Sequence, residues 1–329
     1  MKVLSSSLVI SVVVLVGALG VHRVNGDHQS HLPVQLRSYG TAAMDLPGFS
    51  PTGAAPRITA ERYSPNPAGP LSARYAEIFG SPPKPGRVVN MVQEFHRTAT
   101  NEHPGATLRI STSIYTDGQY ALLAADPNMR SVSRVGAFQP GTYSGYGLGQ
   151  ASWVTTSTGR PELDRSLKIA AADGRVVTRV DLWPQPMNTN DRNPGWRPLA
   201  DLDHRVSEFA VRLALSYGLL ADIDFGRAPR SAITVRGTRL EGRKPAEDLI
   251  LVPLRSVLKT VDGNLAGGEF GVYQAMVGGG SLRVAIASRE LIAGHRKITL
   301  PLPILFDGKE IWIEKNGLAS ALRLDIAAE

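Results

Sequence analysis

From Ala106 the apolar residues of the chain take up a period of two. Leu108, Ile110 and Ile114 alternate with polar residues, a turn follows at Tyr115 to Gly118, and Tyr120, Leu122 and Ala124 continue as a return strand. An Asp-Gly step between alternating runs predicts a hairpin. The same signature recurs where Ser166–Ala172 meets Val176–Leu182 across Asp173 and Gly174, with Trp153–Thr156 as a further strand between the two. Residues 106–183 are therefore expected to form an antiparallel sheet. The period then changes. Val206, Phe209, Ala210, Leu213 and Tyr217 line one face of a helix that Asp201 or Asp203 caps and Gly218 stops. That helix is expected to cover the sheet. Leu71–Phe79 predicts a shorter helix ended by Gly80, and Arg87–Thr98 fits either a helix or a strand.

The last hundred residues carry a tighter order of elements. Ile233–Leu240 alternates around Gly237 as a strand or a hairpin arm, and a polar break follows from Glu241 to Asp248. Leu249–Val252 reads as a short buried strand. Pro253 cannot donate a ladder hydrogen bond, so it should end that strand and seat a helix in its first turn. Leu254, Val257, Leu258 and Val261 then share one helical face, closed by Asp262 and Gly263. A glycine-broken hairpin region, 267–280, precedes an alternating strand at Ser281–Ala287. Strand candidates at Arg296–Pro303 and Phe306–Ile313 lead to a final helix, Asn316–Leu322.

This order, with Val235 and Gly237, the Leu251–Arg255 segment and its helix to Gly263, Val284–Ser288, Gly294, Ile298, Leu300, Pro301, Pro303 and Trp312–Leu322, resembles the copper amine oxidase N-terminal-like domain family. Two positions depart from the pattern: Glu314 stands where a second Pro is expected, and Ala287 precedes Ser288 where the family has Gly. The resemblance covers residues 233–329. It implies a small α+β module of secreted and cell-surface proteins, without catalysis, that attaches to peptidoglycan or another wall polymer. The catalytic oxidase domain needs a quinone-forming tyrosine and three copper-binding histidines; nothing in this chain supplies them, and no cofactor is expected.

The N-terminus places the chain. Lys2 precedes an apolar run from Val3 to Val21, ended by His22 and Arg23, which reads as a signal peptide or a membrane anchor over residues 1–26. The 329-residue chain has no cysteine, which excludes disulfides, thiolate metal sites and lipid attachment through a thiol. Residues 27–70 hold Pro47, Pro51, Pro56, Pro65, Pro67 and Pro70, a spacing that predicts an extended linker. The net charge of +7 would draw an exported protein toward anionic wall polymers or lipid headgroups. No Lys/Arg run or aromatic-basic interleaving marks a nucleic-acid surface, and membrane contact is expected only through an uncleaved anchor.

Candidate chemistry is sparse. Gly145, Gly147 and Gly149 have dinucleotide-like spacing but lack the flanking strand, helix and downstream acid. Asp27, His28 and His31 resemble a metal cluster in a tail without supporting residues, while His96, His103 and His295 have no ligand spacing. Asp201, Asp203 and His204 sit at a helix start, where acids meet unpaired N–H groups. Asp222 and Asp224 would share one face of a strand, as a glycosidase pair requires. Tyr143, Tyr146 and Trp153 beside a glycine-rich loop offer an aromatic shelf for a ligand. No catalytic, cofactor or metal residues are assigned.

The expectation is an α+β protein: an antiparallel hairpin domain with a covering helix (71–228), then a small copper amine oxidase N-terminal-like module (229–329). Its expected role is non-catalytic binding or display at the cell wall. The alternatives are a secreted glycan-acting hydrolase, or a carrier of an apolar ligand, in residues 71–225.

Overall fold

The computed structural model describes residues 26–42, 44–53, 55–100, 105–126, 139–140, 147–156, 166–184 and 201–328. The protein is α+β, with antiparallel sheets throughout.

The first sheet is built on β3 (Gly86–Arg97) and β4 (Ala106–Tyr115). β1 (Ser50–Pro51) and β2 (Arg57–Tyr63) lie end to end along the free edge of β3. Beyond β4 come β8 (Val176–Pro184), β7 (Leu167–Asp173), β6 (Ala151–Thr156) and β5 (Gln139–Pro140). Successive side chains of a strand point to opposite faces. Met91, Phe95, Leu108, Ile110, Ile169, Val180 and Leu182 therefore line one face and join the apolar core with helix α4 (Asp201–Asp222). Val88, Tyr115, Ala172 and Val177 line the other, under α3 (Gly118–Ala125) with Ala121, Ala124 and Ala125.

Three expectations for this region are corrected. The stretch after Asp117 is helix α3, not a return strand. The Asp117 carboxylate accepts the N–H groups of Gln119 and Tyr120 at 2.9 and 3.0 Å, an N-cap, and β4 already has β3 and β8 on its two sides. Gly218 does not stop α4, which continues to Asp222. A Cβ at 218 would stand 2.5 Å from a Val176 methyl, so this glycine serves close packing on the sheet. The Pro-rich stretch is not a free linker. It holds α1 (Gly26–Ala42), β1, β2 and the first residue of α2 (Pro70–Phe79). Leu32 and Leu36, one turn apart, are buried in the α4 core, and Tyr39 stacks on Tyr217 with ring centroids 5.6 Å apart. The prolines lie mostly between these elements, and Pro70 opens a helix, where its missing N–H costs nothing. As expected, α2 ends at Gly80 in the left-handed region, and the Asp173–Gly174 hairpin forms.

The tail forms two sheets of its own. β9 (Arg230–Val235) and β10 (Thr238–Ala246) pair around Arg236 and Gly237, both at positive φ. β10 runs through most of the expected polar break. β11 (Leu249–Pro253) pairs with β10 and ends at Pro253, the N-cap of α5 (Leu254–Thr260). The second sheet is a meander: β12 (Asn264–Gly267), β13 (Val272–Val277), β14 (Gly280–Ala285), β15 (Glu290–Ala293) and β16 (Arg296–Thr299). The chain then returns to the first tail sheet with β17 (Leu305–Phe306) and β18 (Ile311–Glu314), turns into α6 (Lys315–Leu322) and closes with β19 (Ile326–Ala328). β11 and β18 are antiparallel neighbours, and each runs straight into a helix. At the first corner Pro253 holds the N-cap position without a capping side chain, and Glu310 accepts the Arg255 N–H at 3.1 Å. Glu314 caps the second by accepting the N–H groups of Asn316 and Gly317 at 2.8 and 2.6 Å.

The tail docks on α4. Arg205, Phe209, Arg212 and Ser216 recur once per turn along that helix. Arg205 pairs with Glu269, and Phe209 meets Phe270 edge to face at 6.2 Å. Arg212 donates to the Ile286 carbonyl at 2.8 Å; the Ser216 hydroxyl accepts the Phe306 N–H at 2.7 Å. Leu251, Ile286, Ala287 and Leu305 belong to the same apolar core as α4. With the sheet on one side and the tail on the other, α4 is buried nearly all round.

Candidate functional site

The acids flagged in the sequence stand at the two ends of α4 and just beyond it. Asp201 is exposed at its start. Asp203, 1 % exposed, accepts from Arg97 Nη1 at 2.5 Å. Asp222 is the last helical residue and pairs with Arg175 at 2.7 Å. Asp224 lies beyond the helix in the left-handed region and accepts from the Gln35 amide. The expectation that Asp222 and Asp224 share a strand face is thus corrected, because no strand is there. Further inside, Arg212 is held by Glu208 one turn back at 2.5 Å, and Arg289 grips Asp173 with two bonds of 2.7 Å. Burial pushes the Asp173 carboxyl up, and the Arg289 fork opposes that.

The aromatic shelf is only partly within the described residues. Tyr143, Tyr146, Gly145 and His103 lie outside them. Trp153, on β6 opposite Ala170, is half-buried against the small apolar cluster under α3, so it serves packing there. Gly149, at φ 59°, has a local reason for being glycine: a Cβ would stand 2.6 Å from the Ala172 carbonyl oxygen. Its N–H donates to the Ala287 carbonyl at 2.8 Å. Ala287 adopts a left-handed φ of 60°, which glycine accommodates more readily. Among the described residues no group of three or more His, Asp or Glu side chains is placed to hold a metal ion. Among them too, no helix is long and apolar enough to cross a membrane.

Buried phenols mark two further places. Tyr75 donates to Asp117 Oδ2 at 2.9 Å; burial, then this bond, pushes its pKa up to about 12. Burial pushes Tyr39 up to about 12 as well, and Tyr217 still higher, with the Asp307 carboxylate adding to both. None of these phenols supplies a phenolate near neutral pH.

A cavity opens beside α1, at the end of β2, β3 and β4 away from β1, with a volume of about 310 Å³. Leu32, Val89 and Ile114 form its apolar wall, and Arg62, Arg87 and Arg175 surround it. Sequence reasoning missed it, since residues 27–70 were read as extended chain. The local signal was the Leu32, Leu36, Tyr39 spacing of one helical face. The volume lies at the lower end of what small-ligand sites have. The space between the sheet and α4 is instead filled: Leu108, Ile110, Val180, Ala210 and Ala214 are at most 1 % exposed. The chain matches no family model, no curated protein and no solved structure.

Proposed function

We propose that this is an exported, non-catalytic protein of the cell envelope that binds an anionic wall polymer through its C-terminal module. The observation that carries the reading is the corner at Leu251–Arg255, where a strand of the tail's own sheet turns into a helix at Pro253, as the family resemblance implies. The exposed cations Arg236, Lys259 and Arg283 of the tail supply the charge. Separate engagement of Asp203, Asp222 and Asp224 favours binding over two-carboxylate hydrolysis, and the filled space under α4 disfavours an apolar carrier.

The test is retention of residues 27–329 on purified peptidoglycan across a salt series. Residues 230–329 alone are a poor reagent, because they would bare the surface that α4 covers. The expected result is retention that falls as salt rises and weakens when Arg236, Lys259 and Arg283 are replaced by Gln. No retention at low salt would remove the binding claim.

A further inference from the structure

The cavity beside α1 contains an arrangement that the fold alone does not favour. Arg62 of β2 and Arg87 of β3 are direct cross-strand partners, so their side chains leave the sheet on the same face. Like charges set opposite each other on neighbouring strands are destabilising. Neither guanidinium has a carboxylate partner among the described residues. Other arginines are treated differently: Arg97, Arg175, Arg212 and Arg289 each hold an acid. Arg175 also lines the cavity, its charge already met by Asp222. Glu61 stands at the rim and forms no ion pair with Arg62 or Arg87. Two exposed arginines with no carboxylate partner thus share one rim of an apolar wall made by Leu32, Val89 and Ile114.

We propose that this cavity binds a small anionic amphiphile: an oxyanion, phosphate monoester or carboxylate, held by Arg62 and Arg87, with a short alkyl group against the apolar wall. Guanidinium groups match the planar or tetrahedral oxygens of such heads with paired N–H donors. Bringing an anion between the two arginines removes their mutual repulsion, so the ligand completes a charge arrangement that is unbalanced without it. The proposal is independent of wall-polymer binding by the tail.

Calorimetric titration of residues 27–329 at low salt with hexyl phosphate, hexanoate, inorganic phosphate and hexanol tests it. At least one of the two amphiphiles should saturate a single site at least tenfold more tightly than inorganic phosphate or hexanol; which one does so identifies the head group. Arg62→Gln and Arg87→Gln should each weaken that binding at least tenfold, and Arg283→Gln in the tail should not. Without ligand, the same two substitutions should raise the melting temperature, because they remove the repulsion; a purely structural role for either arginine would lower it. The proposal is overturned if neither amphiphile binds, if hexanol or inorganic phosphate binds as tightly, or if both arginine variants bind like the parent. Retention on peptidoglycan by Arg62→Gln reports on the tail alone, so the two proposals fail separately.

Discussion

The two halves of this protein handle charge in opposite ways. Around the first sheet and α4, several charged side chains go inside: Arg212 and Asp203 are at most 1 % exposed, the Arg97–Asp203 and Asp173–Arg289 pairs tie together residues far apart in the chain, and Arg212 pairs with Glu208 within α4. The tail's second core is aliphatic, with Ile233, Val235, Val252, Leu254, Val257 and Leu291 at its centre, and its own pairs, Arg230 with Glu241 and Lys297 with Glu290, lie toward the surface. The difference teaches where specificity comes from. A buried ion pair is weak evidence for stability, because desolvation can offset the attraction, yet removing one partner leaves a bare charge. The first half is thus sensitive to single charge changes and the tail to loss of packing and caps.

The largest test of that contrast is Arg212→Met. It takes the Arg212 guanidinium away from Glu208 and from the Ile286 carbonyl, and should cost about 3–5 kcal/mol in urea unfolding. Adding Glu208→Leu should recover much of the loss. A cost for Arg212→Met alone below about 1 kcal/mol, the level of an exposed pair, would erase the contrast. Next is Gly218→Ala. In an exposed helix this change stabilises by about 1 kcal/mol; here the methyl meets Val176 and Thr112, and denaturation should show a loss of about 1–3 kcal/mol. A gain would mean that α4 is free to move off the sheet. In the tail, Glu314→Ala removes an N-cap and should cost about 1 kcal/mol, with faster amide exchange confined to α6. The smallest effect concerns pH. Burial holds the Glu310 carboxyl above the ordinary glutamate range, against the N–H groups of Arg255 and Ile311 that it accepts. The folded state then keeps this proton longer than the unfolded chain does. Its contribution to stability falls as pH rises from the ordinary glutamate value through the raised one. Glu310→Gln should flatten that part of the stability–pH curve, and an unchanged slope would show that Glu310 does not titrate differently in the fold.

The same contrast explains what the sequence could reveal. The tail was legible because its signals are local: Pro253 ends a strand where its missing N–H is harmless, and the meander joins strands that follow one another in sequence. The Asp173–Gly174 hairpin was legible for the same reason. The first half depends on partners far apart. Arg97 meets Asp203 and Asp173 meets Arg289 across more than a hundred residues, and no period announces such pairs. Phe209 reads as part of the sheet-facing stripe of α4, yet it turns toward Phe270 in the tail, together with Arg205, Arg212 and Ser216. A helix with one mostly apolar stripe looks half-exposed when the second surface it serves recognises backbone carbonyls and amides. Of the proposed ligand site, Arg62 and Arg87 are ordinary charged residues in sequence; only the register of β2 on β3 sets them opposite each other.

That helix also governs how the molecule comes apart. Because α4 is the wall that both halves share, melting either half bares the face of α4 that it covers. Calorimetry should record one endotherm whose van't Hoff and calorimetric enthalpies agree, and a nick placed between Arg227 and Arg230 would yield fragments that stay together until both unfold.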